Sequence, residues 1–216
     1  NSLNELTKKI MLKNKNFEYF LYDLEDIKSV KGLIEKIETH FNQSIDIFIH
    51  CAGYAVLGNI LNVPIDDYIK NINVNTFSAI SITKAILSKM KIKKNGQLIF
   101  IASGIGKRAL PGASSYAISK FSLNAFCESL RVELFKYNIN VIVISPGLVA
   151  SNFQKNIKTF GTLKETFTSG KKENPKYIAK QIFLSSLLKK RYISLSTYSS
   201  FGVLINFFFP KLMDLY

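Results

Sequence analysis

Gln97-Leu98-Ile99-Phe100-Ile101-Ala102-Ser103-Gly104-Ile105-Gly106 is the stretch that decides the fold. The run to Ala102 is short, apolar and β-prone and follows the turn signal Asn95-Gly96, so it predicts a buried strand with Ser103 at its carboxyl end. Outward from it, strand-like runs near residues 17–23, 45–50, 139–145 and 192–196 alternate with helical stretches near 28–41, 65–90, 114–137 and 175–189. That alternation predicts an α/β fold, a parallel sheet with helices on both faces. In open sheets of this kind ligands bind at the carboxyl ends of the strands, where Ser103 falls.

Tyr116 and Lys120 stand four residues apart in Ser114–Tyr137, whose apolar residues recur at helical spacing, so their side chains share one face. A free tyrosine, with a pKa of about 10, is a poor acid or base at neutral pH, and a cation within a few ångströms favours its phenolate. Lys120 is the expected cation. A hydroxyl at Ser103 could hydrogen-bond a substrate oxygen beside the phenol. Taken alone the pair is a weak sign, because Tyr-x-x-x-Lys arises by chance in many helices.

Four further motifs accompany this group. Tyr22-Asp23-Leu24 ends the strand-like Phe17–Leu21, and His50-Cys51-Ala52-Gly53 ends Ile45–Ile49, with Ala52 and Gly53 small enough to let a ligand approach the backbone. Asn73-Val74-Asn75-Thr76-Phe77-Ser78 sets two asparagines inside one long predicted helix, where their amides compete for backbone hydrogen bonds. Pro146-Gly147-Leu148-Val149-Ala150-Ser151 follows the strand Ile139–Ser145. Read singly, these are a solvated helix face and ordinary turns. In this order, with Tyr116 thirteen positions after Ser103, they resemble the short-chain dehydrogenase/reductase family over essentially the whole chain. The resemblance implies one Rossmann-like, doubly wound domain over residues 1–216.

It also implies roles. Ser103, Tyr116, Lys120 and Asn75 match the family's catalytic residues, Asn75 positioning a water that passes protons to the lysine. Asp23, with Leu24, matches the contact to the adenine amino group. Cys51, Ala52, Gly53, Pro146, Gly147 and Val149 match the turns along which the cofactor runs, Ser151 its carboxamide contact, and Tyr116 and Lys120 also face the nicotinamide ribose. His50 and Cys51 depart from the family's commoner asparagines.

The family's first strand, glycine-rich turn and helix N-terminus, which hold a pyrophosphate, have no counterpart here. Gly104-Ile105-Gly106 is too short and lies in the catalytic loop. A segment of roughly 30–40 residues is therefore expected to be missing at the N-terminus, leaving an apolar sheet edge exposed. The residues that select NAD or NADP go with it, so the cofactor reads as NAD(P), with NADP the commoner family choice.

A composition of 47% hydrophobic and 20% charged residues suits a single packed domain. The net charge of +14 is scattered, with dense points at Lys91–Lys94 and Lys189-Lys190-Arg191, and no nucleic-acid-binding motif accompanies it. Cys51 and Cys127 suggest reduced thiols in a cytoplasmic setting, and neither they nor His40 and His50 have metal-ligand spacing. Asn174-Pro175 predicts a helix start, and Asn152–Lys172 a lid over substrate or a loop. Tyr192–Phe209 lacks charges yet carries serines and Asn206, which argues against a membrane-spanning helix. Phe207–Leu212 predicts a tail packed on the core, with peripheral membrane contact or an apolar substrate entrance as alternatives.

The expected function is an NAD(P)-dependent oxidoreductase that interconverts a carbonyl and an alcohol on a small, hydrophobic substrate, as a homo-oligomer paired through the long helices. A catalytically silent scaffold that keeps the fold is the first alternative. A sugar-nucleotide epimerase or dehydratase ranks below it, because few residues remain after Ser145 for a substrate domain.

Overall fold

The computed structural model describes residues 7, 10–11, 16–161, 167 and 169–214. In chain order its main elements are α1 (Val30–Phe41), β1 (Ile47–His50), β2 (Val56–Gly58), α2 (Ile65–Ile72), a π-helical turn (Asn73–Phe77), α3 (Ser78–Lys93) and β3 (Gly96–Ile101). They continue through α4 (Ser114–Leu134), β4 (Ile139–Ser145), β5 (Lys158–Phe160), α5 (Pro175–Leu187), β6 (Tyr192–Ser194), α6 (Thr197–Phe208) and α7 (Pro210–Asp214). Short 3-10 turns cover Gly104–Gly106, Phe135–Tyr137 and Asn152–Asn156.

Four strands form one sheet in the order β1-β3-β4-β6, every pair parallel. Strand alternation divides their side chains between two cores. Leu98 and Phe100 of β3 and Val141 and Val143 of β4 pack with Ile34 of α1, Ile86 of α3 and Leu123 of α4. Ile99, Ile142 and Ile144 face the other way, against Ile182 of α5. Helices thus cover both faces, as the sequence predicts for a doubly wound sheet. Strand β4 matches its predicted bounds, and α5 starts as expected, the Asn174 side chain accepting from the Lys176 N–H with Pro175 at the first helical position.

Three expectations are corrected. Residues 17–23 form no strand, because no described strand lies alongside to complete their hydrogen bonds. They are held instead by local ties: the Tyr22 hydroxyl lies 2.9 Å from Ser29 Oγ and donates to the Asp26 carbonyl, while Phe20 meets the edge of His40. The predicted single helix over 65–90 is two α-helices joined by the π turn. The C-terminal tail is helical and only partly packed: α6 rests on the Gly104–Gly106 turn, yet Phe207, Phe208 and Phe209 stay more than 60% exposed. No helix among the described residues is long and apolar enough to cross a membrane.

Among the described residues edge strand β1 pairs only with β3, and Ile47 and Ile49 are about half exposed on it. A second, two-stranded parallel sheet, β2 with β5, was not anticipated. Each of its strands has only three residues, too few to carry a period. It begins to order the predicted lid over 152–172, of which residues 162–166 and 168 lie outside the described part. A 2.6 Å ion pair from Lys158 to the buried Asp67 ties it to α2.

Candidate active site

Strand β3 and helix α4 bring the predicted serine, tyrosine and lysine together. Ser103 follows β3 with extended backbone, and its hydroxyl accepts from the Ile105 N–H at 3.3 Å, which starts the tight turn. Gly106 in that turn meets α4 closely: a Cβ there would lie 2.8 Å from the Lys120 carbonyl oxygen and 2.6 Å from Asn124 Nδ2. Only a glycine lets the loop rest against the helix, and this approach carries Ser103 to Tyr116. The Ser103 hydroxyl comes near enough to the Tyr116 phenol to favour its phenolate.

Tyr116 and Lys120 are both buried on one face of α4. Burial pushes the phenol up to about 12, opposed by the Ser103 hydroxyl, and pulls the ammonium down to about 8. The expected lowering of the phenol by Lys120 is not what this geometry gives. The Lys120 Nζ sits 5.8 Å from the centre of the Tyr116 ring and donates to the Ile101 carbonyl at 3.0 Å, so desolvation outweighs attraction. An ammonium has three N–H donors, and this carbonyl is the one protein acceptor described for it. A buried ammonium with donors to spare suits the hydroxyls of a ribose.

Asn75 lies in the π turn and is fully buried. Its Nδ2 donates to the Tyr54 carbonyl and to Ser119 Oγ, both at 2.9 Å, and its Oδ1 accepts from the Tyr54 N–H at 3.0 Å. Ser119 Oγ in turn donates to the Tyr116 carbonyl at 2.8 Å. Both N–H donors of the amide are thus taken by protein, and they clamp the Cys51–Tyr54 turn to α4. Gly53 fits under this clamp because a Cβ would stand 2.8 Å from Asn75 Oδ1.

The remaining predicted cofactor residues line the same edge. Cys51 and Ala52 are exposed in the turn after β1. Asp23 begins a turn in which its Oδ1 accepts from the Glu25 N–H at 2.9 Å, while Leu24 packs on the main core. Burial, then the charges of Glu25 and Asp67, push the Tyr54 phenol up. No hydrogen bond joins Asp23 or Leu24 to Tyr116 or Lys120 among the described residues. Pro146 and Gly147 follow β4, a Gly147 Cβ would lie 3.1 Å from Ser196 Cβ, and Val149 bridges to Glu173. The Ser151 hydroxyl accepts from the Phe153 N–H at 3.3 Å. Above Tyr116 the wall is apolar: Leu57, Ala113, Ile157, Ile105, Phe153 and Phe167, with the Phe153 ring 6.0 Å from that of Tyr116.

Sequence reasoning missed Asn71, Ser119 and Thr76. Asn71 Nδ2 donates to the Tyr54 carbonyl at 2.9 Å, and Thr76 Oγ1 to the Ser119 carbonyl at 2.7 Å. The helical spacing of Asn71 from Asn75 and of Ser119 from Tyr116 is the available signal, but a polar residue at such a spacing is as often solvated as buried, and Thr76, adjacent to Asn75, carries no such signal.

This geometry sets a serine, a buried tyrosine and a buried lysine at the carboxyl edge of a doubly wound parallel sheet, and comparison with known proteins says which family carries this fold. Residues 1–160 match the short chain dehydrogenase family, and the chain belongs to that family. It is 38% identical over 137 residues to a dehydrogenase/reductase SDR family protein 7-like of Anopheles gambiae, covering 63% of this chain and 43% of that protein. The chain spans about half the length of the curated relatives it matches. Among solved structures, a short-chain dehydrogenase from Streptomyces avermitilis superposes with a TM-score of 0.84 at 18% identity, covering 98% of this chain and 82% of that one. An alcohol dehydrogenase from the archaeon Thermococcus sibiricus, complexed with 5-hydroxy-NADP, gives 0.73 at 21% identity, covering 89% and 80%.

Proposed function

We propose that this protein is an NAD(P)-dependent reductase of hydrophobic carbonyl compounds, with Tyr116 as the proton donor. The observation that carries this reading is the convergence of Ser103, at the carboxyl end of a parallel strand, with the buried Tyr116 and Lys120 one helical turn apart on α4. Ser103 holds the substrate oxygen by its hydroxyl. Tyr116, kept protonated by burial, delivers its proton as negative charge develops on that oxygen. Lys120 holds the ribose and afterwards supports the phenolate, and the Asn75 amide keeps both on one rigid frame. A bound nicotinamide dinucleotide would supply the hydride.

The Cys51–Gly53 turn, the spare donors of Lys120 and the exposed Ser151 suit such a dinucleotide. The preference for NADP is supported by family habit and by the 5-hydroxy-NADP found with the Thermococcus sibiricus enzyme. The apolar wall of Phe153, Phe167 and Ile157 supports a hydrophobic substrate. Half-exposed Phe77, Ile118 and Phe121 on the outer faces of the π turn and α4 support pairing of two copies there. Cytoplasmic residence, with the exposed phenylalanines of α6 and the adjoining Phe209 available for peripheral membrane contact, completes the reading.

The test is Tyr116→Phe in the full-length protein, assayed by nicotinamide absorbance against a carbonyl panel. Turnover is expected to fall by about 10²–10⁴-fold with dinucleotide binding kept. Retained turnover would refute the role.

A further inference from the structure

His50 stands where the family more often carries asparagine, and nothing in the site described above uses it. Its imidazole is buried at the end of β1, flanked by Phe48 and Phe100, whose ring centres lie 6.1 and 6.5 Å away. Its Nε2 lies 3.3 Å from the carbonyl oxygen of Asn75. A carbonyl oxygen can only accept, so this contact fixes the tautomer with the proton on Nε2. The acceptor is the backbone of the π turn, a geometry that breaks the regular helical ladder and is most often met at functional sites. The side chain of the same residue holds the Tyr54 backbone and Ser119.

We infer that His50 is a positioning residue: its Nε2–H anchors the Asn75 carbonyl, and thereby the π turn that presents the Asn75 amide to the cofactor turn and to the helix of Tyr116 and Lys120. The inference rests on the reading of the site given above. Two links connect β1 to Asn75. One runs along the chain through Cys51-Ala52-Gly53 to Tyr54, whose backbone bonds the Asn75 amide, and the other runs directly from the imidazole to the Asn75 carbonyl. Together they close a ring, and the same amide carries it to Ser119 of α4. The imidazole acts as a neutral donor, since burial and the neighbouring Lys120 ammonium both disfavour a second positive charge.

The expected signature is first a tautomer. Long-range ¹H–¹⁵N spectra of the wild-type protein should show His50 with Nε2 protonated and Nδ1 bare at neutral pH. This readout needs neither a variant nor turnover, and the Nδ1–H form would overturn the inference outright. In the full-length enzyme, His50→Leu is expected to lower kcat about tenfold and to weaken dinucleotide binding several-fold, leaving KM for the carbonyl substrate unchanged. His50→Gln, which can bring an amide N–H near the Nε2 position, should recover both to within about twofold. Equal impairment of the two variants, or unchanged kcat in His50→Leu, would show that the imidazole is only packing. Wild-type protein that binds dinucleotide yet reduces no carbonyl would refute the functional reading, while the tautomer would still decide the placement of His50.

Discussion

The clamp around Asn75 and the cover above Tyr116 are built in opposite ways. In the clamp, buried polar groups meet one another directly, from His50 through Asn75 and Tyr54 to Ser119 and Tyr116. The cover consists of short pieces, the 3-10 turn at Asn152–Asn156 and β5, and its described residues meet Tyr116 through apolar side chains. A hydrogen-bonded polar network permits one arrangement, because each broken bond would leave a desolvated group unpaired. An apolar cover permits several. On the proposed function, the chemistry would be fixed on the first region and substrate selection left to the second.

If that contrast is right, perturbing the clamp or its catalytic cargo should cost far more than perturbing the cover. The largest effect is expected for Ser103→Ala, which removes one donor to the developing oxyanion and should reduce kcat by about 10²–10³-fold with little change in melting temperature. A loss of less than tenfold would break the comparison at its catalytic end.

Acid should reveal the clamp next. The His50 imidazole is pulled from 6.5 down to about 4 by burial and by Lys120. Between these values the unfolded chain takes up a proton that the folded chain refuses, so stability falls as the pH falls through this window. By linkage the loss from this group is about 3 kcal/mol by pH 4. Urea unfolding at pH 7 and pH 4.5 should show His50→Gln losing less than wild type over that interval.

Gly53→Ala sharpens the same point sterically. The new Cβ would stand 2.8 Å from Asn75 Oδ1, which cannot swing away without releasing the Tyr54 N–H. A cost of about 1–3 kcal/mol is expected in thermal or denaturant unfolding. Phe153→Ala, in the cover, should change stability by about 1 kcal/mol or less while raising KM for apolar carbonyls about three- to tenfold. A larger stability loss there than at Gly53 would reverse the contrast.

Much of this was legible in the chain. The apolar run to Ala102 and the run Ile139–Ser145 announce buried strands, and their alternate residues divide between the two cores as the pleat requires. Motif order and spacing brought Ser103, Tyr116 and Lys120 to one place, because a strand end and a helix face can be read locally. Less was legible where non-local partners decide. Residues 17–23 carry a strand-like composition without a described neighbour to pair with. The π turn, the three-residue strands and the hydrogen bonds of Asn75 depend on atoms distant in sequence. Burial reversed the expected sign at Tyr116, since the spacing to Lys120 says nothing about how dry the space between them is.

The most direct test of the central claim, that a buried phenol is met by the Ser103 hydroxyl at the end of β3, is the titration of Tyr116 by ¹³C NMR of the labelled ring. The resonance should stay in the protonated form through pH 11, in keeping with a value of about 12, and Ser103→Ala should push it further up, because the serine is what favours the phenolate. A midpoint near the ordinary value of about 10, unmoved by Ser103→Ala, would contradict the account.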